Sequence, residues 1–438
     1  MATRFDPAGP LRGTLRPPAD KSISHRAALI AAMGDGETAI EGYLDAADTR
    51  STLAAVAALG AQVEGFTATG IEPTIRIRGA GLRGAAPASV DAGNAGTLLR
   101  LLPGWLAGQE TGAWTLDGDD SIRRRPVDRI VEPLRSMGAQ LRCRDDRLPP
   151  LEVEGALLHG ISYELPVASA QVKSCLLFAG LLAEGETRVT EPLPTRDHTE
   201  RMLAAAGAEV GRRGGVVTVR SAARLEPGTI VVPADFSSAA FVVVAALLIA
   251  GSDVTLAGVG LNPTRTGLLA ILERMGAGIE VEPEGERGGE PIGRVHVRPA
   301  ELRAVEVGGA EIPLAIDELP LVALAACFAE GTTTIRDAAE LRRKESDRVA
   351  TVTEALTVLG GNVEATEDGM TIEGGGGLRG GVVDSDGDHR IAMLGAVAGL
   401  ASREGVEVEG MDAVAVSYPS FEADLASMLD NRGRAPRL

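Results

Sequence analysis

The chain is poor in three things, and each shortage excludes something. Aromatic residues make up only 3% of its 438 residues, so a core must be packed mainly with Ala, Leu and Val. Cysteine occurs at Cys143, Cys175 and Cys327 alone, far apart. That leaves no disulfide framework and no zinc spacing, which fits a reducing compartment and a cytoplasmic protein. Lysine occurs at Lys21, Lys173 and Lys344 alone among 43 basic residues. Lysine's compact ammonium does things a planar guanidinium cannot, so the three positions draw interest. The longest apolar run, 239–250, reaches about half of the ~20 residues a membrane helix needs and reads as a buried helix. The opening residues 1–7 carry no apolar signal region, so no export is expected. A formal charge of −18 repels nucleic acid and anionic membranes, which excludes both as general partners.

What the chain has is length and a repeat. The 438 residues lead us to expect two domains. Six segments open on polar capping residues and run into an apolar helix. They are Asp20-Lys21-Ser22, Asn94-Ala95-Gly96, Ser169-Ala170-Gln171, Ser237-Ser238-Ala239, Asp317-Glu318-Leu319 and Asp388-His389-Arg390. Within the copies, short strands recur at Glu37–Ile40, Glu186–Val189 and Thr332–Ile335. Helix-ending glycines recur at Gly60, Gly138, Gly207, Gly276 and Gly360. Each copy therefore reads as helix, strand, helix, strand, with further β-structure before the next. Such a unit cannot bury its own apolar helix, so copies must pack together. The prediction is an α/β fold of two three-repeat domains, 1–17 plus 233–438 and an inserted 18–232, with Pro-containing crossings at 16–19 and 231–234.

Helix starts present unpaired N–H groups and a partial positive charge, so six of them offer a site for a small anion. Simple N-capping explains any one start equally well. The basic residues beside several starts favour the anion reading. Lys21, Ser22 and Arg26 share a first turn, with Arg26 four residues after Ser22. Arg125 precedes Pro126, a good first helical residue, which predicts Arg125 at a helix start. Ser169 and Gln171 offer hydrogen-bonding groups. Lys344 and Arg348, read as i,i+4 on a helix, reach one anion, with Glu345 beside them as a proton donor or acceptor. Asp317 is either a general base or an N-cap. Ser237 has no basic companion and is expected to cap and pack only. The five histidines show no metal-ligand spacing, and no GxGxxG, GxxxxGK[ST] or GxSxG occurs.

Taken in order, Asp20-Lys21-Ser22 to Arg26, Asn94-Ala95-Gly96-Thr97, Arg125-Pro126, Ser169-Ala170-Gln171, Asp317-Glu318, Arg343 to Arg348 and Asp388-His389-Arg390 resemble the 5-enolpyruvylshikimate-3-phosphate synthase family. The resemblance covers essentially the whole chain. It implies two domains of three βαβαββ units, an inside-out α/β barrel of the enolpyruvyl transferase type, closing on substrate at an interdomain cleft. It implies transfer of the carboxyvinyl group of phosphoenolpyruvate to the 5-hydroxyl of shikimate 3-phosphate, in the route to chorismate and aromatic amino acids. No metal or organic cofactor is implied, and a monomer is. Shikimate 3-phosphate falls to Lys21, Ser22, Arg26, Ser169, Ala170, Gln171, Arg196, Asp317 and Lys344. Phosphoenolpyruvate falls to Lys21, Asn94, Gly96, Arg125, Gln171, Arg348 and Arg390. Asp317 takes the proton of the 5-hydroxyl; Lys344 and Glu345 stand nearest the methylene carbon, and Lys21 lies between the substrates. Gly96 leaves the space glyphosate needs, which implies inhibition competitive with phosphoenolpyruvate. In this sequence Val416 stands where some relatives carry a C-terminal Lys, and Glu340 where some carry Asn.

Three rival readings are weaker. The UDP-N-acetylglucosamine enolpyruvyl transferases usually open on Lys-Asn and use a loop Cys as acid; here the opening is Lys21-Ser22 and the 119–125 loop has no Cys. A non-catalytic anion-binding scaffold predicts decay of the basic starts, which are intact. An RNA-end cyclase on a related fold suits neither the acidic surface nor the missing nucleotide motif.

Overall fold

The computed structural model describes residues 2–67 and 74–429. The chain divides into two compact units. An inserted unit comprises Ala19–Pro233 and Glu286–Glu290; an outer unit comprises Met1–Pro18, Ala234–Gly285 and Pro291–Leu438.

The repeat is visible strand by strand. In the second copy, strand Ser89–Asp91 leads into helix Gly96–Ala107 and then strand Ala113–Asp117, which lies parallel to the first. Helix Asp128–Ser136 follows, then strands Gln140–Arg144 and Leu148–Glu154. The last strand pairs antiparallel with both of its neighbours. This is one βαβαββ unit. Among the described residues there are five four-stranded sheets and one three-stranded sheet. The first copy takes its leading strand from Thr229–Val231, at the far end of the third copy. The fourth takes its own from Arg12–Leu15. The sixth is completed by the N-terminal strand Ala2–Phe5, antiparallel to Val406–Glu409.

The glycines at the helix ends do what their chemistry permits. Gly60, Gly138, Gly207, Gly276 and Gly360 have φ of 101°, 100°, 90°, 92° and 92°, the left-handed region that a Cβ disfavours. Each unit has its own apolar core, dominated by Ala, Leu and Val. The repeat helices sit inside these cores, packed on one another: Gly96–Ala107 lies against Lys21–Met33 and Ala170–Gly180 in the inserted unit. In the outer unit Phe236–Leu248, Leu319–Ala326 and His389–Ala401 pack mutually. One close approach depends on glycine. A Cβ on Gly104 would lie 2.1 Å from the Cys175 carbonyl oxygen, so helices 96–107 and 170–180 come this close at that point because position 104 has none.

The helix starts differ from their sequence reading in four places. Helix 96–107 is capped by Ala95, leaving the Asn94 side chain outside the cap. The fourth helix begins at Phe236 with Asp235 as its cap, which carries Ser237 into the first turn. Arg125 closes a 3-10 turn, Ile122–Arg124, and the next helix begins only at Asp128, so Pro126 is not its first residue. Lys344 follows another 3-10 turn, Ala339–Arg343, and the helix starts at Arg348 because Asp347 accepts from the Val349 and Ala350 N–H groups. Lys344 and Arg348 are therefore not neighbours on a helix face.

Candidate active site

In the inserted unit the cations are held by short polar contacts. Asp20 caps helix Lys21–Met33 through the Ile23 N–H at 2.8 Å. This fixes the first turn that carries Lys21, Ser22 and Arg26. Lys21 Nζ donates to Asp48 Oδ2 at 2.9 Å. Arg26 is buried, and Nη1 donates to the Ser22 carbonyl at 2.9 Å. Burial and then nearby Arg196 lower its pKa to about 10, so it stays a cation at neutral pH. His25, buried beside it, contributes no charge: burial, Lys21 and Arg26 hold its pKa well below the ordinary value. Its Nδ1 lies 2.6 Å from Thr52 Oγ1.

Arg125 and Asn94 form one block. Arg125 Nη2 donates to Asn94 Oδ1 at 2.7 Å and to Ser121 Oγ at 3.0 Å, while the Asn94 amide donates to Asp119 Oδ2 at 2.7 Å. Gly96 sits under them; a Cβ there would lie 3.0 Å from Nη1 of both Arg100 and Arg125. Gln171 is oriented from two sides: Nε2 donates to Thr97 Oγ1 at 3.3 Å and Oε1 accepts from Arg100 Nη1 at 3.1 Å. Ser169 caps helix 170–180 through the Val172 N–H. The Ala170 carbonyl accepts from Ser174 Oγ at 2.7 Å. Arg196 is half-buried in the turn before helix His198–Ala205. Arg100 belongs to this set by its contacts.

In the outer unit Asp317 is the hub. Its Oδ1 lies 3.2 Å from Lys344 Nζ and 3.4 Å from Arg348 Nη1. Its Oδ2 lies 3.8 Å from Arg390 Nη2 and 3.9 Å from Arg265 Nη1. The cap of helix 319–326 is Glu318, so the Asp317 carboxylate does not serve as the N-cap. Lys344 and Arg348 thus converge on one carboxylate, reached through a turn rather than along a helix. Arg348 is fully buried, donating from Nε to Asp388 Oδ2 at 2.8 Å and from Nη2 to Glu345 Oε2 at 2.6 Å. Burial alone would lower its pKa, but Asp388, Glu345 and Asp317 override it and raise the value. For Asp388 burial pushes up, Arg348 pulls down, and the net is a lowered pKa.

Three residues without a site role in the sequence reading, Ser237, Arg265 and Glu318, complete this cluster, and they correct the reading of the fourth copy. Ser237 Oγ accepts from Arg390 Nη2 at 3.1 Å, and it is in hydrogen-bond contact with both Arg265 and Glu318. Arg265 Nη1 donates to Glu318 Oε1 at 3.2 Å, both side chains being buried. Ser237 is therefore a bracket for Arg390, not merely a packing residue. One signal was present: Pro263-Thr264-Arg265 repeats Pro194-Thr195-Arg196, in the equivalent turn of the preceding copy.

No group of three or more His, Cys, Asp or Glu that could hold a metal ion occurs among the described residues. Burial raises the pKa of Cys175, that of Cys327 to about 12, and that of half-buried Cys143. None of these thiols is tuned as an acid near neutral pH.

Fold and cations together define the class first: a six-repeat α/β protein of the enolpyruvyl transferase type. The crystal structure of the enolpyruvyl transferase NikO from Streptomyces tendae shares that fold at a TM-score of 0.77 and 18% identity, covering 98% of this chain and 97% of that one. The particular family follows from sequence. The family model for EPSP synthase (3-phosphoshikimate 1-carboxyvinyltransferase) matches residues 5–425. A 3-phosphoshikimate 1-carboxyvinyltransferase of Gloeobacter violaceus is 51% identical, covering 97% of this chain and 98% of its own. One from Synechococcus sp. (strain JA-3-3Ab) is 50% identical, with coverages of 97% and 96%. The EPSP synthase structure from Acinetobacter baumannii matches at a TM-score of 0.86 and 42% identity, covering 97% of this chain and 98% of that one. The chain belongs to the EPSP synthase family.

Proposed function

We propose that this chain transfers the carboxyvinyl group of phosphoenolpyruvate to the 5-hydroxyl of shikimate 3-phosphate and releases phosphate. The observation that carries the reading is the family match over residues 5–425, joined to basic side chains at the repeat starts that are buried and pre-oriented. The hydroxyl oxygen attacks C2 of phosphoenolpyruvate while C3 gains a proton. The tetrahedral adduct then loses phosphate and a proton to give the enol ether.

The residues divide the work. Ser22, Arg26, Ser169, Ala170, Gln171 and Arg196 hold shikimate 3-phosphate. Asn94, Gly96, Arg125, Gln171, Arg348 and Arg390 take phosphoenolpyruvate, a dense anion suited to several guanidinium forks. Lys21, ion-paired to Asp48, serves both. Asp317 accepts the 5-hydroxyl proton, and Lys344 and Glu345 are the groups that exchange the proton at C3. The Asp317 carboxylate already neutralises part of Lys344 and Arg348. An arriving anion competes with it for those cations, which frees the carboxylate to accept a proton from the hydroxyl. Glyphosate is read as an inhibitor competitive with phosphoenolpyruvate, and the protein as a cytoplasmic monomer. No helix among the described residues is long and apolar enough to cross a membrane.

The test is phosphate release from phosphoenolpyruvate with shikimate 3-phosphate as acceptor, against UDP-N-acetylglucosamine as control. Release with the first acceptor only is expected. Release with the control acceptor alone, or with neither, overturns the reading.

A further inference from the structure

The third lysine has no part in the roles above, yet it is the most deeply buried of the three. Lys173 is 0% exposed, with Nζ 2.8 Å from Glu191 Oε1 and 2.7 Å from Glu200 Oε1. Glu191 also accepts from the Thr195 N–H at 3.1 Å. The ion pair therefore ties helix Ala170–Gly180 to helix His198–Ala205, shielded from water. A compact ammonium on a flexible stem suits two converging carboxylates better than a planar guanidinium does.

The next residue on one helix and the preceding one on the other meet as well. Ser174 Oγ and Thr199 Oγ1 are 2.7 Å apart. Their proton directions follow from valence. The Ser174 hydroxyl donates to the Ala170 carbonyl at 2.7 Å, so its one proton is committed and Thr199 donates to Ser174. The lone pairs that remain face Arg26: Thr199 Oγ1 accepts from Nε at 2.7 Å and Ser174 Oγ from Nη2 at 3.1 Å. With Nη1 on the Ser22 carbonyl, three of the roughly five N–H donors of a guanidinium are used. One N–H on each terminal nitrogen is left over, the number needed to take two oxygens of one carboxylate or phosphate group.

We propose that Lys173-Ser174 and Thr199-Glu200 form a positioning block that holds Arg26 as a two-donor fork for one anionic group of shikimate 3-phosphate, its carboxylate or its phosphate. The ion pair fixes the spacing of the two helices, and the two hydroxyls fix the plane and rotation of the guanidinium. This rests on the assignment of shikimate 3-phosphate to Arg26. None of the four need touch substrate.

The experiment uses the full-length enzyme with Thr199→Val, Thr199→Ser and Arg26→Ala. Steady-state constants are measured for both substrates, with thermal unfolding alongside. Thr199→Val keeps the shape and removes the hydroxyl. It is expected to raise KM for shikimate 3-phosphate about tenfold, the size of one hydrogen bond to a charged group. KM for phosphoenolpyruvate and kcat are expected to stay within about twofold. Thr199→Ser restores the hydroxyl and is expected to restore the KM. An unchanged KM in Thr199→Val, a Thr199→Ser variant no better than Thr199→Val, or a loss confined to kcat and unfolding temperature overturns the proposal. Arg26→Ala separates the two levels. If it raises that KM while Thr199→Val does not, the positioning block fails alone; if it leaves the KM unchanged, the assignment of shikimate 3-phosphate to Arg26 fails and the block with it.

Discussion

Replacing Asp317 by Asn is the perturbation that probes the chemistry most sharply. The substitution keeps the size of the side chain and removes its charge and its basicity. Four cations lie within 4 Å of that carboxylate: Lys344, Arg348, Arg390 and Arg265. Three of them keep other carboxylates: Arg348 keeps Asp388, and Arg265 and Arg390 keep Glu318. Arg390 keeps the Ser237 hydroxyl. The cluster therefore survives the change, and Lys344 is the group that loses most. Two effects on the kinetics have opposite sign. Without the internal competitor, phosphoenolpyruvate meets a less neutralised Lys344 and Arg348, so its KM should stay level or fall. Without a base for the 5-hydroxyl, turnover should drop at least ~10²-fold, which is about 2.7 kcal/mol of barrier. Steady-state phosphate release at saturating shikimate 3-phosphate reads both constants. A kcat within tenfold of wild type refutes Asp317 as the base. A KM for phosphoenolpyruvate that rises steeply with kcat preserved would recast it as a residue that orders the cations for binding.

Three further outcomes follow from the same structure. His25 is held neutral in the fold but takes a proton in the unfolded chain below about pH 6.5, so its contribution should erode stability as pH falls through that value, by at most ~1.4 kcal/mol per pH unit. Chemical denaturation from pH 7.5 to 5.5 should show a shallower slope for His25→Gln, and an identical slope would contradict the assignment. Lys173→Met strands two buried carboxylates and should cost ~3–5 kcal/mol of unfolding free energy, read from denaturant midpoints; a loss under about 1 kcal/mol would mean the pair is not buried as described. Gly96→Ala adds a methyl 3.0 Å from the Arg125 and Arg100 guanidinium tips, which can shift, so the protein should fold normally while inhibition by glyphosate weakens and KM for phosphoenolpyruvate rises; unchanged inhibition would remove Gly96 from that site.

The repeat was legible because local chemistry enforces it. Glycine at 60, 138, 207, 276 and 360 is the residue a left-handed helix end calls for, and all five have that conformation. The caps at Asp20, Ser169 and Asp388 were legible for the same reason. The approach of Lys344 to Arg348 was expected through the wrong geometry. Spacing alone does not reveal that Asp347 prefers to cap the helix, which pushes Lys344 into a turn. The Ser237, Arg265, Glu318 and Arg390 bracket was not legible, because its members come from three repeats and meet only through tertiary packing. Lys173 was conspicuous by rarity, but its partners Glu191 and Glu200 lie in the following turn and helix, and nothing local marks them as buried. Pairing across such distances is set by which helices pack together, and periodicity is silent on that.

In the proposed reaction the group transferred is carboxyvinyl and shikimate 3-phosphate accepts it. Mass spectrometry of the product mixture, with phosphate measured in the same sample, tests it most directly. The expected result is a new species equal to shikimate 3-phosphate plus one carboxyvinyl group, formed one for one with phosphate. Phosphate released without that species, or substrates recovered unchanged, would contradict it.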